Sequence, residues 1–232
     1  MTGGHWRDRP AQVGPLAPPE DVPEWLRDLV AATASLDATA FTRVTPPPVG
    51  VPRPAAVLIL FGDRPDGPDV LLLRRAETLP AHPGQVAFPG GAAEAADTGP
   101  VDTALREAAE ETGVVPESVL PLALLPEVYV PVSRFVVSPV LGYWHTPGPV
   151  APVDPGETAA VARVPIAHLA DPANRFRVRH SSGYVGPAFA APGMLVWGFT
   201  AGLLSGVLTL GGWERPWDET DVRDLHVALR MT

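Results

Sequence analysis

The chain contains no cysteine, which excludes disulfides and thiol catalysis and fits a reducing cytoplasm. An excess of basic charge is also missing. Its 17 Lys and Arg against 26 Asp and Glu give a formal net charge of −9, which argues against a general basic surface for nucleic acid. A phosphorylated small molecule held by metal and a few arginines stays open. No basic segment followed by a continuous apolar run opens the N-terminus, so a secretory signal is not expected. Between Ser181 and Trp213 there is no Asp, Glu, Lys or Arg. The dense part of that stretch, Leu195 to Leu210, is nevertheless shorter than the roughly 20 apolar residues a bilayer span needs, so it reads as a buried helix rather than a membrane partner. There is no internal repeat, G-x-S-x-G elbow or P-loop. What remains, 232 residues with 46% hydrophobic and 19% charged content, is enough for one sizeable core.

Residues 1 to about 20, rich in Pro, Gly and Arg, read as a mobile leader. Asp21-Val22-Pro23-Glu24 opens a helix expected to run through about Leu36, and Pro46-Pro47-Pro48 marks a connector. The division expected is a leader and N-terminal helix over 1–50, a main domain over 51–212 and a tail with a short helix over 213–232. Ala55 to Phe61 and Asp69 to Arg74 read as core strands separated by a Gly/Asp/Pro turn, with further strands near 120 to 143 and 158 to 164. Strands alternating with a central and a late helix imply an α/β fold with a mixed sheet between helices.

The richest segment is Gly90 to Val114, GGAAEAADTGPVDTALREAAEETGV. At about 100° per residue, Glu107, Glu110 and Glu111 share one arc of a helix while Leu105, Ala109 and Thr112 face the opposite way. Like charges at these spacings repel unless a cation neutralises them. Mg²⁺ or Mn²⁺, hard ions that take carboxylate oxygens and share their other positions with water and phosphates, suit such a cluster. The solvated face of an ordinary amphipathic helix stopped by Gly113 is the competing reading. Phe88-Pro89-Gly90-Gly91 just upstream favours the ion, because paired glycines let a backbone carbonyl turn toward it.

These residues resemble the Nudix hydrolase signature, G-x5-E-x7-R-E-U-x-E-E-x-G-U with U bulky and apolar. Here it reads Gly91, five residues, Asp97, eight residues, then Arg106-Glu107-Ala108-Ala109-Glu110-Glu111-Thr112-Gly113-Val114. Asp97 stands for the first Glu, the spacer is one residue longer, and Ala108 is smaller than usual. Upstream, Leu71 to Gly91 reads LLLRRAETLPAHPGQVAFPGG, similar to the second motif of the coenzyme A pyrophosphatase branch. Leu71, Leu72, Arg75, Ala76, Gly84, Phe88, Pro89, Gly90 and Gly91 match in register, while Leu73 and Pro80 replace the usual Thr and second Arg.

The resemblance implies a Nudix-like α/β/α sandwich and hydrolysis of the pyrophosphate of coenzyme A or an acyl derivative to 3′,5′-ADP and 4′-phosphopantetheine. Glu107, Glu110, Glu111 and the Gly90 carbonyl would hold Mg²⁺ or Mn²⁺, Arg106 would orient the carboxylates, and Arg75 would contact the substrate. Glu110, Glu111 or the loop acid Glu157 would be the general base, with Glu127 a weaker candidate; an exposed loop carboxylate is the plain alternative for Glu157. The alternatives to coenzyme A are ADP-ribose, a dinucleotide or a nucleoside triphosphate, or a non-catalytic nucleotide sensor.

Two further features lie outside the motifs. Arg175, Arg177 and Arg179 alternate with Phe176 and Val178, which on a strand puts three guanidiniums on one face, either as a phosphate contact or as a solvated, edge-protecting row. Gly198, Gly202 and Gly206 form a smooth stripe suited to close approach by a sheet, a helix or, in a homodimer, a second subunit. His82 reads as a structural hydrogen-bonding residue beside the glycine loop.

Overall fold

In chain order, the computed structural model describes residues 12–37, 39–41 and 53–231. Pro46-Pro47-Pro48 and residues 1–11 of the leader lie outside them. β1 (Gly14–Pro15) is followed by a 3-10 turn at Glu24–Leu26, α1 (Arg27–Ala32) and a second 3-10 turn ending at Ser35. The expected helix is thus present in three short pieces, with Leu26, Leu29 and Val30 buried. Then come β2 (Arg53–Arg64), β3 (Gly67–Arg75), β4 (Val86–Ala87), β5 (Gly90–Ala92), α2 (Pro100–Thr112), β6 (Val119–Leu124), β7 (Val128–Val130), β8 (Phe135–Trp144), β9 (Thr158–Pro165) and α3 (Ile166–Ala170). The chain closes with β10 (Arg175–Arg179), β11 (Val185–Ala191), β12 (Met194–Trp197), α4 (Gly198–Leu210), β13 (Val222–Asp224) and α5 (Leu225–Ala228).

The larger sheet is mixed. β2 runs parallel to β8 from Arg53↔Phe135 to Gly62↔Trp144 and antiparallel to β3 and β5. Its near-continuous apolar sequence follows from cover on both faces. On one face Ala56, Leu58, Leu60, Leu71 and Val140 pack with Ala104 and Ala108 of α2. On the other, Ile59, Phe61, Val70 and Leu72 pack with Leu26 and Leu29 of α1 and Leu203, Leu204, Val207 and Leu208 of α4. The α/β/α layering is therefore as expected. At the end of α2, Gly113 adopts φ +76°, and its N–H donates to the Ala109 carbonyl at 3.0 Å. This left-handed stop suits glycine.

The leader is docked earlier than expected: Gly14 and Pro15 pair with Leu124 and Ala123 on β6. Proline lacks a donor but is tolerated on such an edge. A second, four-stranded sheet, β12-β11-β10-β13, was not anticipated. Its edge strand is Met194–Trp197, so residues 195–197, read as the start of a helix, are strand, and α4 begins only at Gly198. A short apolar run does not by itself distinguish strand from buried helix. The expected tail also belongs here, because β13 runs parallel to β10 and Leu225 and Ala228 of α5 bury against Phe176 and Val178.

The glycine stripe differs from expectation too. The buried side of α4 is Thr200, Ala201, Leu203, Leu204, Val207 and Leu208. Among the described residues nothing lies within 4 Å of where a Gly202 Cβ would be, while Gly206 closely approaches the ring of Phe41, which packs on the core. The buried side of the helix is otherwise supplied chiefly by Leu203, Leu204, Val207 and Leu208.

Candidate active site

The side of α2 that packs on the sheet carries Thr103, Ala104, Ala108 and Thr112, rotated from the Leu105-Ala109-Thr112 face expected. The consequence is chemical. Glu107 and Glu111 fall at the seam between helix and sheet and are half-buried, whereas Glu110 points outward with its side chain 58% exposed.

The Gly90-Gly91 turn lies over this seam. The Gly90 N–H donates to Glu111 Oε2 at 2.9 Å. Gly90 has φ +158°, and a Cβ there would collide with the Ala56 carbonyl oxygen. A Cβ on Gly91 would lie 2.5 Å from Glu107 Oε1. Gly90 thus lets β5 pair closely with β2, and Gly91 leaves room for the Glu107 carboxylate.

Asp97, which stands in the motif in place of the first Glu, anchors the helix. Its Oδ1 accepts from Arg106 Nε at 3.1 Å, and its Oδ2 accepts from Arg106 Nη2 at 3.2 Å, Thr103 Oγ1 at 2.8 Å and the Glu94 N–H at 2.7 Å. Burial alone would raise its pKa, but the hydrogen bonds from Arg106, Glu94 and Thr103 outweigh it and hold the carboxyl at about 2. Arg106 also donates to the Ala92 carbonyl at 3.0 Å, Glu107 Oε1 at 3.0 Å and Glu110 Oε2 at 2.9 Å. One guanidinium thus ties the glycine loop, the Asp97 loop and two helix carboxylates together. The sequence signal was the polar spacing from Asp97 to Arg106, visible but not interpretable without the loop's path.

Burial pushes Glu111 up to about 7; like charge from Glu107 and Glu157 adds to this, while the Gly90 N–H and Arg75 oppose it. Burial likewise raises Glu107, against the Arg106 charge. A half-buried pair of carboxylates raised by desolvation and mutual repulsion is a site that a cation would relieve. Among the described residues no three acidic or histidine side chains converge as a metal-enclosing group. Two carboxylates nevertheless fit Mg²⁺ or Mn²⁺, ions that retain waters and share positions with substrate phosphates.

The other candidates are distributed unevenly. Arg75 ends β3, and its charge reaches Glu111. Glu157 is exposed on the turn before β9; its backbone carbonyl accepts from the Ala76 N–H at 2.8 Å, and its charge also reaches Glu111. Glu127 is half-buried and accepts from Ser138 Oγ at 3.2 Å, one strand over from Ala56. His82, at φ +56°, hydrogen-bonds Gln85 Oε1 through Nδ1 at 2.9 Å.

The arginine row is corrected at its first member. Arg175 is 3% exposed and donates to Glu214 at 2.8 Å and Ser205 at 3.0 Å, with its guanidinium over the rings of Phe189 and Trp217. It is buried because β10 is an interior strand of the small sheet, and its charge is consumed by that ion pair. Arg177 is half-buried with its charge acting on Tyr184, and Arg179 is exposed. Among the described residues no contact joins the three to Glu107 or Glu111.

Residues 51–184 match the family described as the NUDIX domain. The "Uncharacterized Nudix hydrolase NudL" of Pectobacterium atrosepticum is 48% identical over 107 residues, covering 45% of this chain and 55% of that one. The protein of the same name from Escherichia coli O7:K1 is 39% identical over 157 residues, covering 66% of this chain and 79% of that one. The chain thus spans little more than half the length of the Pectobacterium relative. The crystal structure of RenU, a Nudix hydrolase from M. Smegmatis, is similar in fold, with a TM-score of 0.51 at 20% identity over 72% of this chain and 91% of that one.

Proposed function

Because this chain belongs to the Nudix family, we propose that it is a divalent-metal-dependent pyrophosphohydrolase of a nucleoside-diphosphate-linked substrate. Coenzyme A or acyl-coenzyme A is the leading substrate, cleaved to 3′,5′-ADP and (acyl-)4′-phosphopantetheine. The observation that carries the reading is the pairing of half-buried Glu107 and Glu111 under the Gly90-Gly91 turn, locked by Arg106 and Asp97. A solvated helix face would leave these carboxylates in water.

Glu107 and Glu111 would hold Mg²⁺ or Mn²⁺, with Glu110 and the Gly90 carbonyl as outer members of the set. Such an ion, when bound, polarises phosphoryl oxygens and lowers the pKa of water. Arg106 fixes the orientation of Glu107 and Glu110. Arg75 offers a guanidinium to the negative charge that develops on the phosphoryl group. Glu157, on a turn beside Glu111, is the proposed base that takes the proton of the attacking water; Glu110 and Glu111 are the alternatives. No protein nucleophile is needed.

The substrate class rests on the upstream match from Leu71 to Gly91. Pro80, where that motif has a second Arg, favours one other reading, a Nudix pyrophosphatase for ADP-ribose, dinucleotides or nucleoside triphosphates. A non-catalytic nucleotide sensor has no need of the intact carboxylate set. No described helix is long and apolar enough to cross a membrane, and the proposed location is the cytoplasm. Assay with Mg²⁺ and Mn²⁺ across coenzyme A, acyl derivatives, ADP-ribose, NADH and dinucleoside polyphosphates tests the reading. Coenzyme A should have the highest kcat/KM, and a tenfold preference for ADP-ribose or a dinucleotide would move the protein to the second class.

A further inference from the structure

The antiparallel pairing of β3 with β9 is regular from Asp69↔Pro165 to Arg74↔Ala160 and then slips, so that Arg75 stands opposite Thr158 and Ala159 is left over. Such a bulge re-aims side chains at a strand end. Directly paired residues project to the same face, and by strand alternation Arg75 shares the face of Leu71, which packs in the α2 cluster. Thr158 and Arg75 therefore stand on the face of the sheet that carries Glu107 and Glu111. The neighbouring elements converge there: the Arg75 N–H donates to the Gln85 carbonyl at 2.9 Å, and the Ala76 N–H to the Glu157 carbonyl at 2.8 Å.

Thr158 is only 1% exposed, yet among the described residues its Oγ1 has no hydrogen-bond partner, and the buried Nε of Arg75 across the ladder has none either. A buried hydroxyl without a partner is destabilising, and native proteins rarely keep one without a use for it. Arg74 Nε is also unpaired, but Arg74 stands opposite Val86, a member of the cluster on the other face. Two unpaired groups side by side next to a carboxylate pair are donors without an acceptor, and a phosphoryl oxygen is the acceptor that such a site would receive.

We infer that Thr158 is a substrate-contacting residue whose hydroxyl, together with Arg75 Nε–H, receives a non-bridging oxygen of the phosphoanhydride. This rests on the pyrophosphohydrolase reading of the same site and adds to it a neutral hydrogen-bond donor beside the Arg75 guanidinium.

Thr158→Val keeps the side-chain shape and removes the hydroxyl, and Thr158→Ser restores it. The measurements are kcat/KM on the best substrate of the panel, the Tm of the ligand-free protein, and the rise in Tm given by ADP with Mg²⁺. Thr158→Val should lose about ten- to a hundredfold in kcat/KM and most of the ADP response, while its ligand-free Tm rises by roughly 2–4 °C because an unpaired hydroxyl has been replaced by a methyl. Thr158→Ser should recover activity and ADP response. Wild-type kcat/KM and ADP response in Thr158→Val overturn the assignment, as does a fall in Tm with activity that Ser does not restore, which marks a packing residue. If the wild-type protein itself neither hydrolyses the panel nor responds to ADP, the parent reading falls and this inference with it. If the wild type does both and Thr158→Val matches it, only the role of Thr158 falls.

Discussion

Replacing Glu111 by Gln separates its chemical use from its structural cost. The side chain is nearly isosteric, and its amide oxygen can still accept the Gly90 N–H that now reaches Oε2 at 2.9 Å. What disappears is a charge that burial disfavours. Glu111 is pushed from the ordinary 4.5 up to about 7, and at 1.36 kcal/mol per pH unit the ionised form costs the metal-free protein about 3 kcal/mol at pH 8. Partial exposure makes that an upper figure. Because the folded pKa is raised, the associated stability is fully present below about 4.5 and is lost as the pH rises through about 7. In chelator, wild-type Tm should therefore fall between pH 5 and 8, and Glu111→Gln should flatten most of that fall and melt roughly 5 °C higher at pH 8. The raised Glu107 leaves a smaller slope of the same sign. Turnover should drop by about 10² or more, because the variant loses a proposed cation ligand. Thermal unfolding with and without Mg²⁺, alongside steady-state kinetics, decides it. A variant that is less stable than wild type at pH 8, or one that turns over within tenfold of it in saturating Mg²⁺, would refute the reasoning.

Asp97→Asn should cost about 2–4 kcal/mol of stability, because its side chain is 5% exposed and receives two hydrogen bonds from Arg106; denaturant unfolding measures it, and an unchanged midpoint contradicts the anchoring role. The Asp97 pKa is depressed to about 2, so its contribution is present above about 4 and lost as the pH falls toward 2, an acid limb that acid titration of wild type against Asp97→Asn should reveal. Arg175→Met should destabilise by roughly 1–2 kcal/mol, through loss of the bonds to Ser205 and the exposed Glu214 and of the ring contacts, while leaving the preference among substrates unchanged; a selective loss of coenzyme A hydrolysis would restore Arg175 as a substrate contact. Arg177, whose row reads in the sequence as a phosphate contact or a solvated face, is proposed to meet the 3′-phosphate that coenzyme A carries and its 3′-dephospho form lacks; Arg177→Ala should then lose more kcat/KM on coenzyme A, by about 1.5–3 kcal/mol, and an unchanged ratio removes it.

Much of the central unit was legible because its signals are local. Period-two and continuous apolar runs marked β2 and β3, and Gly113 marked the end of α2. The phase of α2 was not. Leu105 looked like the buried residue on hydrophobicity alone, but the small side chains of Ala104 and Ala108 let the helix approach the sheet, and that rotation brings Glu107 and Glu111 to the seam. The second sheet was hidden for a different reason. Leu195 to Leu210 carries no charge, and within it only Gly198, at φ +66°, stands where the strand that begins it gives way to the helix that follows. The alternation at Arg175 to Arg179 did predict a strand, but whether an arginine meets a substrate or Glu214 depends on a partner 39 residues away. Asp97 shows the same limit: its role became visible only when the loop brought it to Arg106.

Cleavage of a pyrophosphate linkage with a divalent ion is the chemistry proposed for the glutamate seam. Its most direct test is mass analysis of the products formed from coenzyme A by wild-type protein and Glu111→Gln, each with Mg²⁺, with Mn²⁺ and with chelator. The wild type should yield 3′,5′-ADP and 4′-phosphopantetheine only when metal is present, and the variant about a hundredfold less. Product formation that is independent of metal, or equal in the two proteins, would contradict it.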